Sequence, residues 1–119
     1  MNNQQLSKVE VLKTVLNTPA IQDQFANVLK DNSATFFASL IDLFNNDTNL
    51  QGCDPNAIIG EALKAASLKL PISRGLGFGY ILPYKKGGGF VPQFQMGYKG
   101  FIQLALRSGQ YESINADRR

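Results

Sequence analysis

The sequence predicts an α+β fold: an N-terminal helical lobe, then a β-hairpin, a further helix and the start of a third strand. Three observations predict it. Apolar residues recur at helical spacing as far as about residue 67, alternation of period two begins only after Pro71, and glycines that break any helix (Gly75, Gly77, Gly79 and the run Gly87-Gly88-Gly89) bracket the alternating segments. The expected division is a helical lobe over residues 1–70 and an incomplete hairpin, helix and strand unit over 71–119.

The elements follow in order. Val9, Leu12, Val15 and Leu16 share one face of a first helix. Thr18-Pro19 supplies a cap and a first-turn proline for a second, whose apolar face is Ile21, Phe25, Val28 and Leu29. Ser33 is the expected cap of a third helix carrying Phe36, Phe37, Leu40, Ile41 and Phe44, closed by the polar loop from Asn45 to Asn49. Asp54-Pro55 opens a fourth by the same cap-then-proline chemistry, burying Ile58, Ile59, Ala62, Leu63 and Ala66. Tyr80 to Tyr84 and Phe90 to Gln95 read as two strands joined through Lys85-Lys86-Gly87-Gly88-Gly89, with Pro83 and Pro92 marking edge or bulge positions. Gly97 to Ser108 reads as a helix ended by Gly109, with Phe101, Ile102 and Phe94 expected in the core. Tyr111 to Ala116 has the pattern of a third strand beginning.

Composition limits the chemistry. At 119 residues the chain forms one domain at most. It has no histidine, so imidazole acid–base catalysis, Ser-His or Cys-His nucleophiles and histidine metal ligation are excluded. Its single cysteine, Cys53, makes neither an internal disulfide nor a zinc site. The carboxylates are scattered and suggest no catalytic pair, so a non-enzyme without cofactor or metal is expected. Gly75-Leu-Gly77-Phe-Gly79 precedes a strand instead of opening a helix, and Lys86-Gly-Gly-Gly89 lacks the end of a Walker loop, so neither implies nucleotide hydrolysis. The first residues lack a signal-peptide pattern and no segment reaches the roughly 20 apolar residues of a membrane span. The expected setting is cytoplasmic, with no membrane partner.

Charge is distributed unevenly. Residues 1–63 hold three lysines against seven acids, whereas residues 64–119 hold nine bases against two. Between Glu61 and Glu112 there is no carboxylate at all, but there are Lys64, Lys69, Arg74, Lys85, Lys86, Lys99 and Arg107 among eight aromatic rings. Unneutralised positive charge interleaved with aromatic faces is the composition of a nucleic-acid-binding surface. Lys99, Gln103 and Arg107 follow one another at i, i+4 and i+8 along one face of the last helix, and Lys85 and Lys86 sit beside a turn that allows close approach to phosphates. Tyr80, Tyr84 and Tyr98 carry hydroxyls suited to a wet surface, while Gln93 and Gln95 alternate away from Phe94. A solvated helix face and a flexible hairpin tip are the bland alternatives for these same residues.

Leu68-Lys-Leu-Pro71, the stretch from Leu76 to Lys85, and the long run from Phe94 to Tyr111 followed by Ser113-Ile114-Asn115 resemble the RecT family of phage and prophage single-strand annealing recombinases. The resemblance implies a protein of the bacterial cell that coats single-stranded DNA without ATP, pairs it with a complementary strand into an annealed duplex, and assembles as a homo-oligomeric ring or helical filament. It also implies work alongside a partner exonuclease or a host single-strand-binding protein. Carried over by position, the DNA-binding residues are Lys85, Lys86, Gln93, Gln95, Tyr98, Lys99 and Arg107, with Arg74 and Tyr80 beside them. Proteins of this family continue past the equivalent of Arg119, so a truncated fragment is expected. Its alternative function is that of a structural, oligomerising module with weak DNA binding.

Overall fold

The computed structural model describes residues 3–109, with side chains from residue 8 onward. It contains helices α1 (Asn3–Leu16), α2 (Pro19–Leu29), α3 (Ser33–Asn45), α4 (Thr48–Gln51) and α5 (Pro55–Ser67), strands β1 (Gly79–Lys86) and β2 (Gly89–Met96), and helix α6 (Tyr98–Ser108). A 3-10 turn over Lys30–Asn32 joins α2 to α3. The architecture is α+β, as expected. The expected third strand from Tyr111 lies outside the described residues.

Helix ends show how local sequence sets these boundaries. Pro19 occupies the first turn of α2, where its missing N–H costs nothing, although the Thr18 side chain makes no cap bond and instead donates to the Thr14 carbonyl at 3.4 Å. Asp54 does cap α5, accepting from the Asn56 N–H at 3.1 Å. Ser33 is not a cap: it lies inside α3 with helical φ and ψ, and its hydroxyl donates to the Lys30 carbonyl at 3.2 Å. Nor is Asn45 to Asn49 only a loop. Asp47 accepts from the N–H groups of Asn49 and Leu50, at 3.0 and 3.2 Å, and so nucleates the short α4. Carbonyls left open at helix C-termini are taken by amides: Gln22 donates to Leu16 at 2.9 Å and Gln51 to Phe44 at 3.0 Å.

The helices enclose a core of Leu12, Leu16, Phe25, Leu40, Phe44 and Ile58, each essentially inaccessible to solvent. Phe25 meets Phe37 edge-on at 5.0 Å between ring centroids, a favourable quadrupolar arrangement. The same hydrophobic cluster runs on through Ile72 and Ile81, and Phe90 and Phe94 of the hairpin pack against it. Cys53 is buried here; desolvation, and secondarily the Asp47 carboxylate, raises its thiol above the ordinary range.

The hairpin is antiparallel, and Pro83 faces Pro92 directly. Two prolines opposite one another cannot exchange N–H···O bonds, so this is a non-hydrogen-bonded pair and costs the ladder nothing. Parity then places Gly79, Ile81, Pro83, Phe90, Pro92 and Phe94 on the face toward the helices, with Lys85 and Met96 exposed at the two ends of that same face. The turn is tighter than expected: Lys85 and Lys86 belong to β1, and only Gly87 and Gly88 connect the strands, with Gly87 at φ +61°. Parity also sends the Phe94 N–H away from β1, where the Glu61 carboxylate of α5 accepts it at 2.8 Å.

After β2 the chain turns into α6 through a backbone-to-backbone contact. The Gly97 N–H donates to the Phe78 carbonyl at 2.9 Å and the Lys99 N–H to the Gly77 carbonyl at 3.1 Å. A Cβ at Gly97 would lie 2.2 Å from the Gly77 oxygen, and one at Gly100 would lie 2.1 Å from the Phe78 oxygen. Neither obstacle is a side chain that can swing aside. This contact rotates the Gly100 face of α6 inward. Phe101, about 100° further round the helix, turns outward and is 55 % exposed, contrary to the expected core position. Ile102 is half-buried.

Gly100→Ala is expected to destabilise the fold by about 2–3 kcal/mol through forced displacement of backbone. Gly88→Ala, whose Cβ would meet nothing within 4 Å, is the control and should change stability by less than about 0.5 kcal/mol. Urea denaturation of the two variants checks this.

Candidate nucleic-acid interface

The hairpin face turned away from the helices carries Tyr80, Leu82, Tyr84, Val91, Gln93 and Gln95, all exposed. Tyr80, Tyr84 and Val91 are each 39 % accessible and Leu82 is 37 % accessible, an apolar and aromatic content unusual for a solvent-facing sheet. The Gln95 side-chain amide donates to the Tyr84 hydroxyl along this face, which fixes the orientation of both groups. The two amides expected to face away from Phe94 do so, and they share their surface with the tyrosines.

Basic groups flank this face at both ends. Lys86 on this face and Lys85 on the opposite one lie exposed at the tip, where a Cβ on Gly87, Gly88 or Gly89 would meet nothing within 4 Å. At the other end the Lys99 side chain runs along Gly77, the Tyr80 ring lies against Gly97, and Tyr98 is 80 % exposed. Arg74 is exposed in the preceding loop, where with Tyr80, Leu82, Asn46 and Asp47 it lines a cleft of about 300 Å³. From Tyr80 to Lys86 a strand advances about 20 Å at its usual rise. The candidate residues therefore form two charged ends with an aromatic and amide surface between them, not one basic cluster.

Arg107 stands apart. Its guanidinium donates to the carbonyls of Leu68 and Lys69, at 2.9 Å for the latter, just past the C-terminus of α5. The Lys99-Gln103-Arg107 stripe is thus not continuous: Gln103 is half-buried and the exposed Arg107 ties α6 to the end of α5, leaving Lys99 as the cation not engaged on backbone. Lys64 is also committed, forming with Glu61 the one ion pair among the described residues, at 2.9 Å. Sequence reasoning had no access to the Arg107 role, since its acceptors are backbone carbonyls distant in the chain, whereas the i, i+3 spacing of Glu61 and Lys64 was the available sign of their ion pair. Among the described residues no group of three His, Cys, Asp or Glu side chains converges as a metal site, and no helix is long and apolar enough to cross a membrane.

The fold defines an α+β protein in which a helical lobe carries a two-stranded sheet with an exposed aromatic face flanked by lysines. Comparison with known proteins makes the assignment specific. The RecT family model matches residues 34–117. An uncharacterized protein, YqaK, of Bacillus subtilis strain 168 is 46% identical over 104 residues, covering 87% of this chain and 35% of that protein. Protein RecT of Escherichia coli K12 is 35% identical over 71 residues, 56% of this chain and 26% of that protein. The chain belongs to the RecT family, and it spans 35% and 26% of the length of these two curated relatives.

Two substitutions separate structural from surface cations. Arg107→Ala is expected to cost about 1 kcal/mol, the usual worth of an exposed charged hydrogen-bonding group, and to weaken amide-exchange protection throughout α6. Lys99→Ala should leave both quantities within error. Thermal melts with hydrogen exchange on the two variants distinguish these outcomes.

Proposed function

We propose that this chain binds single-stranded DNA without sequence preference on the exposed hairpin face and contributes to ATP-independent annealing of complementary strands. The observation that carries the reading is the outer hairpin surface, where Tyr80, Tyr84, Gln93 and Gln95 lie exposed between basic ends formed by Lys85 and Lys86 and by Lys99 with Arg74. Lysines hold the phosphates as point charges, tyrosine rings accept bases by stacking, and the amides reach sugars or base edges. A span of about 20 Å accommodates about six nucleotides at a duplex-like rise of 3.4 Å. Tyr98, beside Lys99, extends the stacking surface. The phosphate and stacking contacts read no base sequence, which suits a protein that must accept any strand and leave its pairing edges free.

With Arg107 engaged on backbone, four bases remain for phosphate. A plot of log K against log salt for a single-stranded oligonucleotide should then have a slope of about −3, given about −0.7 for each phosphate neutralised. The Lys85/Lys86/Lys99→Ala triple variant is expected to bring the slope near −1 and lower affinity at least tenfold at moderate salt. A Tyr80→Ala/Tyr84→Ala variant should weaken binding by about 1–3 kcal/mol per stacked base and leave the slope unchanged. Salt-independent affinity, or unimpaired binding by the triple variant, rules the reading out.

A second reading is a structural module that assembles with other copies and binds DNA weakly. The outward apolar face of α6 favours it, with Phe101 55 % and Leu106 53 % exposed. Under this reading light scattering reports concentration-dependent assembly that oligonucleotide does not alter, whereas the DNA-binding reading requires assembly or affinity to respond to the strand.

A further inference from the structure

Two residues other than glycine have left-handed backbone among those described, and both are lysines: Lys30 at φ 56° and Lys69 at φ 57°. They are far apart in sequence but line one cleft of about 530 Å³ between the α2–α3 junction and the segment that follows α5. Each ends a helix. Lys69 completes a pair of closing bonds on α5, its N–H donating to Ala66 at 2.8 Å and that of Leu70 to Ala65 at 3.1 Å. Lys30 closes α2 with ψ −123°, a combination that residues with a Cβ rarely adopt. Glycine is the unstrained choice at both positions. Backbone strain retained at two points on the rim of one cavity is characteristic of functional sites.

The cleft has the other features of a ligand site. Phe36 and Ile72 give it apolar walls, and Ser39 and Ser73 line it with their hydroxyls hydrogen-bonded to each other at 2.8 Å, which leaves one O–H proton of the pair to donate. Asp31 is the acid on the rim, so the two ammonium groups outnumber it. Its volume falls in the range of small-molecule pockets. We infer that this cleft is a binding site for a phosphate monoester carried on a compact, partly apolar body such as a nucleoside, with Lys30 and Lys69 taking the phosphate and the apolar walls taking the body. The chemistry is shared by a free nucleotide and by the 5′-phosphorylated end of a strand. The inference does not depend on the hairpin face.

The test is a thermal-shift titration of the full chain with adenosine 5′-monophosphate, adenosine and inorganic phosphate. The monophosphate is expected to raise the melting temperature saturably and adenosine is not. The Lys30→Gln/Lys69→Gln variant, which keeps an unbranched polar side chain one atom shorter and removes the charge, should lose that response. Lys30→Gly and Lys69→Gly should each melt at or above the parent temperature, because strain is relieved, and should respond to the monophosphate at least tenfold more weakly. The Lys85/Lys86/Lys99→Ala variant should retain the full response even where it fails to bind oligonucleotide. Competition by a 5′-phosphorylated oligonucleotide, but not by its 5′-hydroxyl form, assigns the strand end as the source; absence of competition assigns the free nucleotide, and both support the site. An equal shift with adenosine, no shift with the monophosphate, a response that survives the double glutamine variant or vanishes in the hairpin variant, or glycine variants that melt lower than the parent would each overturn it.

Discussion

The arrangement of this molecule depends on a contact between backbones. The segment Gly77–Phe78 presses its carbonyls into the first turn of α6, and the absence of side chains at Gly97 and Gly100 is what lets them arrive. From that contact follow the direction in which α6 leaves the hairpin, the face it turns inward, and the placement of Lys99 over Gly77. At its far end α6 is held by the Arg107 fork on Leu68 and Lys69. A helix fixed at both ends in this way needs little apolar burial of its own, which explains how Tyr98, Phe101 and Leu106 remain exposed on a well-defined element.

The basic half of the chain divides its charges between two tasks. Lys64 is neutralised by Glu61, whose carboxylate also orders the edge of β2 through the Phe94 N–H. Arg107 is spent on carbonyls. Lys85, Lys86, Lys99 and Arg74 are exposed, and all of these border the hairpin or its approach. Glu61 is therefore less a break in the basic surface than the hinge-pin between lobe and hairpin, placed just before the acid-free stretch begins.

Much of the fold was legible because its signals are local. Pro19, Asp54-Pro55 and Gly109 each mark a helix boundary by backbone chemistry, and the structure has boundaries there. Alternation revealed the hairpin, although Lys85 and Lys86 extend its strands since two glycines suffice for the turn. The short α4 escaped notice because Asn46-Asp47-Thr48-Asn49 has a loop composition, and only the Asp47 cap turns it into a helix start. Of the candidate site, exposure of the tyrosines and amides followed from parity. The role of Arg107 did not, because a carbonyl acceptor leaves no trace in sequence, and the rotation of α6 did not, because apolar periodicity identifies a face without saying what covers it. The Gly-x-x-Gly spacing at Gly97 and Gly100 was the available sign of a close backbone approach.

The facing prolines at the middle of the hairpin have a consequence for how the sheet can grow. Each strand presents one row of outward amides to whatever lies alongside, and each row lacks its donor at the same level, Pro83 on one side and Pro92 on the other. On β2 the next donor along, at Phe94, is already claimed by Glu61, so that border is blunted over its central length. On β1 the interruption is a single rung, with parity directing the amides of Ile81 and Lys85 outward on either side of it. Strand addition is thus handed: a third strand, from this chain or another, is directed to the β1 border and must straddle Pro83, which admits few registers and discourages indiscriminate edge-to-edge stacking.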